Sequence, residues 1–309
     1  MSKDHRPHSL LEAIRYFSDL GVATDFVAKL RWPDGPTCPR CGSTEYSYLT
    51  TRRLWKCKGC KKQYSVKLGT IFEDSPLGLD KWLPAVWLIA NSKNGISSHE
   101  LARALDVTQK SAWFMLHRIR LAMQTGSFLK LSGEVEVDEA YIGGKAENMH
   151  ASDPRRKAMS KGGRSARHKT PVLGMRARSG HVRAEVIPNV GGSAIQSSVR
   201  QAVEPGSTLY TDAWRSYRGL SADYDHEVID HAEKYVEGRV HTNGIENFWS
   251  LLKRGLHGTY VSVDADHLFR YLDERVFAYN LRDRNDAGRF EALLSAVAGR
   301  RLTWTELTG

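Results

Sequence analysis

The sequence predicts an α/β protein, a mixed sheet flanked by helices, preceded by a small metal-binding module and a pair of helices. Three observations carry this. The middle of the chain has three strand-like segments joined by short turns, 135–142, 172–178 and 182–187, after which helix and strand alternate. The only four cysteines fall in two CxxC pairs upstream. Between these regions lie two helical stretches separated by a short break.

Composition bounds the function classes. A chain of 309 residues with 41% hydrophobic content can form one or two domains with proper cores. Its longest apolar run, 83–90, contains Pro84 and is far too short for a bilayer, and residues 1–7 lack signal-peptide features. The expectation is a cytoplasmic protein with no membrane partner. The net charge of +10 is concentrated: residues 145–183 hold eleven Lys/Arg against two acids. The run ASDPRRKAMSKGGRSARHK supplies Arg155, Arg156, Lys157, Lys161, Arg164, Arg167 and Lys169. Composition alone fits a solubilising loop as well as one that meets phosphates. Its place directly after the strand bearing Asp138 favours a polyanionic substrate.

Taken in order, residues 5–29 read as a short helix with Leu10, Leu11, Ile14 and Phe17 at helical steps, ending near Gly21, followed by a second turn at 26–30. Cys38 and Cys41, then Cys57 and Cys60, follow with fifteen residues between the pairs. Four thiolates at this spacing suit tetrahedral zinc, and a site closed by four sulfurs is structural. Two disulfides are the competing use, disfavoured by the missing secretory leader. Residues 77–91 form an apolar helix with Trp82, Val86, Trp87 and Ile89. The pair SSHELARALD and TQKSAWFMLHRIRLAM can pack Leu101, Ala102 and Leu105 on Ala112, Leu116 and Ile119, with Ser98 and Thr108 as caps. This spacing fits a helix-turn-helix, which would present Gln109, Lys110 and Ser111 to DNA. Such pairs also occur without DNA; the basic charge favours the DNA reading.

A linker at 124–132 leads to the sheet. Val135 and Val137 alternate against Glu136 and Asp138, the pattern of a half-buried strand. Glu136 shares the Asp138 face and reads as an auxiliary ligand or, more commonly, a rim charge. A helix at 193–203 and a strand delivering Asp212 follow, then a short helix at 214–220 and a strand at 224–229. In HTNGIENFWSLLK, Ile245, Phe248, Trp249, Leu252 and Leu256 make an apolar stripe, while Glu246, Ser250, Lys253 and His257 line another side. Glu246 and Lys253 stand about two turns, roughly 10 Å, apart. Trp249 reads as core. A further helix covers 265–281, and the tail is too short for a domain. The expected divisions are 1–75 (helix and zinc ribbon), 76–130 (helix-turn-helix), 131–285 (sheet domain) and 286–309 (tail). Asp138, Asp212 and Glu246, carried by two strands and a helix, can converge into the oxygen cluster that a hard cation needs.

The stretches CPRCG with CKGC, VDEAYIGGK, LYTDAWRSY and HTNGIENFWSLLKRGLHGTY resemble DDE transposases of bacterial insertion sequences, the ISXO-two-like group with a zinc ribbon ahead of an RNase H-like domain. The resemblance covers most of the chain. It implies that Asp138, Asp212 and Glu246 are catalytic acids holding Mg²⁺ or Mn²⁺, with Lys253 on the same helix face. Asn243 and His241, within a turn of Glu246, are candidate auxiliary residues, and Arg254 a DNA contact. The implied activity is hydrolysis at an element end followed by joining of the freed 3′-hydroxyl to target DNA, by a homo-oligomer that is at least a dimer on DNA. The alternatives are a non-catalytic DNA-binding regulator and a Mg²⁺-dependent structure-specific nuclease. The intact acids disfavour the first, and the DNA-reading modules disfavour the second.

Overall fold

The computed structural model describes residues 6–124, 130–143, 169–212, 215–229 and 241–309. The chain divides into two compact units, 1–124 with 281–309, and 125–280. Among the described residues no helix is long and apolar enough to cross a membrane.

The first unit begins with α1 (Leu10–Phe17) and α2 (Leu20–Arg31). The second of these is a full twelve-residue helix, not the single turn at 26–30 that Gly21 suggested. Asp19 explains the difference, because its carboxylate accepts from the Gly21 and Val22 amides that would otherwise be unpaired. Strands β1 (Tyr46–Leu49), β2 (Leu54–Cys57) and β3 (Gln63–Tyr64) form a small antiparallel sheet. Trp55, nearly buried, packs against the rings of Trp32, Tyr48 and Tyr64.

The four cysteines are free thiols whose sulfurs all lie within 4.8 Å of one another. Cys38 Sγ is 3.8 Å from Cys60 Sγ, and Cys41 Sγ is 3.5 Å from Cys57 Sγ. Zn–S bonds of about 2.3 Å in a tetrahedron put sulfurs about 3.8 Å apart, so the set fits a structural zinc and no disulfide.

Next come α3 (Leu79–Asn91), α4 (Ser98–Leu105) and α5 (Gln109–Met123). Thr108 caps α5 by accepting from the Ser111 amide, but Ser97 rather than Ser98 caps α4, accepting from Glu100. Leu101, Leu105, Ala112, Leu116 and Ile119 are buried, as their spacing predicts. The segment that reads as a tail carries α9 (Asp286–Ser295) and α10 (Trp304–Thr308), and belongs to this unit. Phe290 of α9 meets the rings of Phe17, Phe26 and Trp87, and Arg118 Nε donates to the Leu302 carbonyl. A stretch too short for its own core is held by another's.

The second unit is a five-stranded mixed sheet. Strands β4 (Glu134–Ile142), β5 (Thr170–Ala177) and β6 (Val182–Val186) are antiparallel neighbours, while β7 (Thr208–Asp212) and β8 (Asp225–Ile229) run parallel to β4. The spatial order is β6-β5-β4-β7-β8. On one face α6 (Gly192–Ala202) and the 3₁₀ helix Arg215–Ala222 bury Ile195, Val199, Tyr217 and Leu220 against Val135, Val137, Leu173 and Met175. On the other, α7 (Asn243–Gly255) and α8 (Leu268–Asn280) bury Ile245, Phe248, Trp249, Leu252 and Leu272 against Ala140 and Val172. The sheet is therefore covered on both sides. The Glu136 face of β4, which alternation leaves toward water, is closed in this structure, and Glu136 is 0% exposed.

One position makes the second face possible. Gly174 of β5 is the register partner of Asp138, and a Cβ there would lie 2.4 Å from the Trp249 ring and 2.8 Å from Ile245 Cδ1. The indole therefore rests directly on bare backbone.

Two outcomes follow. Gly174→Ala should destabilise the second unit by about 1–3 kcal/mol through overpacking, seen as a lower urea midpoint with an unchanged slope; an unshifted midpoint would show that α7 can slide freely. Purified protein should carry one zinc per chain, and stripping it should speed amide exchange in β1–β3 while β4–β8 stay protected; unaltered exchange in β1–β3 would exclude a folding role for the metal.

Candidate active site

Asp138 lies in β4, two residues beyond Glu136, which pairs in parallel register with Tyr210 of β7. Asp212 ends β7 two residues beyond Tyr210, so the same step carries both aspartates along neighbouring strands. Glu246 stands on the first turn of α7. Asp138 Oδ2 accepts from Trp249 Nε1 at 3.0 Å, and Glu246 Oε1 accepts from the Thr242 hydroxyl at 3.1 Å. Burial pushes the Asp138 carboxyl up to about 6; the Trp249 hydrogen bond opposes this, and the negative charges of Asp212 and Glu246 push it further. The three acids thus share one electrostatic environment. Their oxygens are not drawn into a tight cage: among the described residues, only the cysteines form a group of three or more ligand atoms all within 4.8 Å. The donor set is all oxygen, and the neighbouring negative charges that add to the effect of burial on Asp138 are what a bound hard cation relieves, so these residues fit such an ion.

Glu139 points to the other side of β4 and accepts from the Tyr217 hydroxyl. Burial raises its carboxyl to about 7, opposed by that hydrogen bond and reinforced by Asp212 and Asp138. In sequence Glu139 is simply the residue after Asp138; its partner Tyr217 lies 78 residues away and gives no local signal. Equally unannounced is the set around Glu136, which accepts from the Ile245 amide at 2.8 Å and lies at ion-pair distance from Arg176 and Arg178.

The remaining candidates are distributed as follows. Lys253 and Arg254 are exposed in the last turn of α7, on the polar side with Ser250 and His257. Asn243, exposed, is the first residue of that helix. His241 is partly buried, with Nδ1 3.7 Å from Glu136 Oε1 and its carbonyl accepting from Arg178 Nη2. It therefore faces Glu136. Gln109, Lys110 and Ser111 open α5, but each is engaged within the unit: Gln109 Nε2 donates to Ser98 Oγ, Lys110 lies over the Trp304 ring, and the Ser111 amide is held by Thr108. Lys169 is exposed beside Gly143, next to the start of β5. Arg155, Arg156, Lys157, Lys161, Arg164 and Arg167 lie outside the described residues.

Comparison with known proteins accounts for both ends of this arrangement. Residues 130–280, which span the whole mixed sheet with α7 and α8, match the ISXO2-like transposase domain. Residues 21–63, which include the four cysteines, match the transposase zinc-ribbon domain. A protein of Halobacterium salinarum described as an uncharacterized protein in transposable element ISH50 is 30% identical over 272 residues, covering 84% of this chain and 90% of its own. An uncharacterized transposase-like protein of Haemophilus influenzae is 34% identical over 96 residues, 31% of this chain and 77% of its own. With ribbon, sheet and nearly the full length of a relative all matched, the chain belongs to the ISXO2-like transposases.

Proposed function

We propose that this protein is an insertion-sequence transposase whose Asp138, Asp212 and Glu246 cut a phosphodiester at an element end and join the freed 3′-hydroxyl to target DNA. The supporting observation is geometric: strand register carries Asp138 and Asp212 to the same step of neighbouring strands, with Glu246 on the first turn of the helix over that face, and both of these acids raise the half-buried Asp138. These carboxylates would hold Mg²⁺ or Mn²⁺. Such ions supply activation of the attacking oxygen and neutralisation of charge on the leaving oxygen.

The chain's own residues do the positioning. Trp249 occupies one oxygen of Asp138 and fixes its rotamer. Thr242 does the same for Glu246, within one helical turn. Lys253 and Arg254, exposed further along α7, offer cationic seats for phosphate oxygens. In the first step water attacks phosphorus and the 3′-oxygen leaves; in the second that 3′-hydroxyl attacks a target phosphate and releases a strand end. Neither step needs a covalent protein intermediate. The head of α5, with Gln109, Lys110 and Ser111, and the basic run holding Arg155, Arg156, Lys157, Lys161, Arg164, Arg167 and Lys169 would contact DNA. Bringing two element ends together calls for at least a dimer on DNA.

The test is cleavage and strand transfer with Mg²⁺ on a duplex bearing the DNA that flanks this gene. Wild type should cut and join. Removing an outer-shell partner of a metal site costs about 10–100-fold, so Glu246→Gln, which removes a ligand, should lose more than about 100-fold, and Asn243→Ala less. Wild type that binds the duplex but never cuts it, or Glu246→Gln that cuts normally, would overturn the reading.

A further inference from the structure

We propose that Glu136 is a positioning residue: from the middle of β4 it holds the first turn of α7 and thereby sets where Glu246 stands relative to Asp138. This rests on the reading of the three acids given above.

Among the described residues, the start of α7 has no local side-chain cap. Thr242 precedes the helix and makes no capping hydrogen bond; its hydroxyl donates instead to Glu246. An uncapped start leaves the first amides of a helix without partners. Ile245, third in the helix, presents the amide that a capping side chain would take. Glu136 Oε2, 109 residues earlier in the chain, accepts it at 2.8 Å. A carboxylate from the sheet thus replaces the missing cap and lies at the positive end of the helix dipole.

A fully buried carboxylate persists only if its charge is met. Glu136 Oε1 lies 3.5 Å from Nη1 of Arg176 on β5 and 3.5 Å from Nε of Arg178 just beyond the end of that strand, with His241 Nδ1 at 3.7 Å. Arg176 is the direct cross-strand partner of Glu136. Each arginine is braced in turn, Arg176 by Tyr279 Oη of α8 at 3.1 Å, and Arg178 by Glu134 and the face of Tyr210. The helix backbone sits hard against this pair: a Cβ at Gly244 would lie 2.3 Å from Arg176 Nη1 and 2.6 Å from Glu136 Oε2. With no exposed surface, and with its oxygens directed at an amide and two guanidinium groups, Glu136 is enclosed too fully to bind the ion itself. What it touches is the turn that carries Glu246.

Mn²⁺ binding to the full chain, read by water-proton relaxation, separates this role from general stability, with Glu246→Gln marking the signal that comes from the acids. Glu136→Gln should lower the melting temperature, because it takes the buried charge away from two guanidinium groups, and at a temperature where the chain stays folded it should weaken Mn²⁺ binding about tenfold, with zinc content and end-duplex affinity held. The Ile245 and Glu246 amides should exchange faster while those of β4 and β5 do not. Cleavage at low Mn²⁺ should fall about tenfold and recover at high Mn²⁺, whereas Glu246→Gln should not recover. Where Glu136→Gln does not fold, Gly244→Ala, which lifts the turn off the pair while keeping every charge, carries the same test. A folded variant with wild-type Mn²⁺ affinity and cleavage overturns the inference and leaves the transposase reading intact. Unaltered Mn²⁺ binding and cutting by Glu246→Gln instead overturns that reading and this inference with it.

Discussion

The second unit depends on the missing side chain at position 174. Because Gly174 faces Asp138 across the β4–β5 ladder, the Trp249 ring can lie on the sheet and direct its N–H at that carboxylate. Burying an indole of roughly 150–250 Å² at about 25 cal/mol per Å² contributes on the order of 4–6 kcal/mol. That gain offsets part of the cost of crowding acids beneath and beside one helix. The same contact that stabilises the helix also orients Asp138 of the candidate site. Packing and chemistry here are one constraint.

The carboxylates of Glu136, which is buried, and of Asp138 and Glu139, which are half-buried, divide by the kind of donor they receive. Asp138 and Glu139 take hydrogen bonds from neutral groups, the Trp249 indole and the Tyr217 hydroxyl. Those donors fix orientation without cancelling charge, and the carboxyls remain raised, to about 6 and about 7, by burial and by their acidic neighbours. Glu136, two residues away, is met by guanidinium groups and a helix amide. Its charge is consumed internally. On the proposed reading a cation would be drawn to Asp138 and its acidic neighbours and not to Glu136, although alternation along the strand gives Glu136 and Asp138 the same face.

Periodicity made much of this legible. The stripe of Ile245, Phe248, Trp249 and Leu252 is buried as its spacing requires, and the cysteine pairs converge as theirs does. The burial of Glu136 was hidden, because a polar residue in an alternating strand looks solvent-facing until the arginine opposite it is known. That arginine is fixed by strand register, not by sequence spacing. Trp249 read as core and is core, but periodicity assigns a side chain to a face without revealing what its polar atom reaches. The full length of α2 was obscured by Gly21, whose cost in a first turn is offset by the Asp19 cap. The C-terminal segment was obscured because its partners, Phe17 and Trp87, lie some two hundred residues or more earlier.

The head of α5 bears on how an end sequence would be read. Gln109 already spends one amide donor on Ser98. Bidentate recognition of adenine needs both the oxygen and the nitrogen of such a side chain, so reading a base would require breaking that bond. Lys110 differs, because stacking over Trp304 leaves its charge unneutralised and is worth only about 0.5–1 kcal/mol at an exposed site. It keeps its attraction for phosphate. As arranged, these two side chains suit contacts that set the register of a duplex more than contacts that identify its bases. On this reading, sequence preference falls to other residues or to a rearranged turn between α4 and α5.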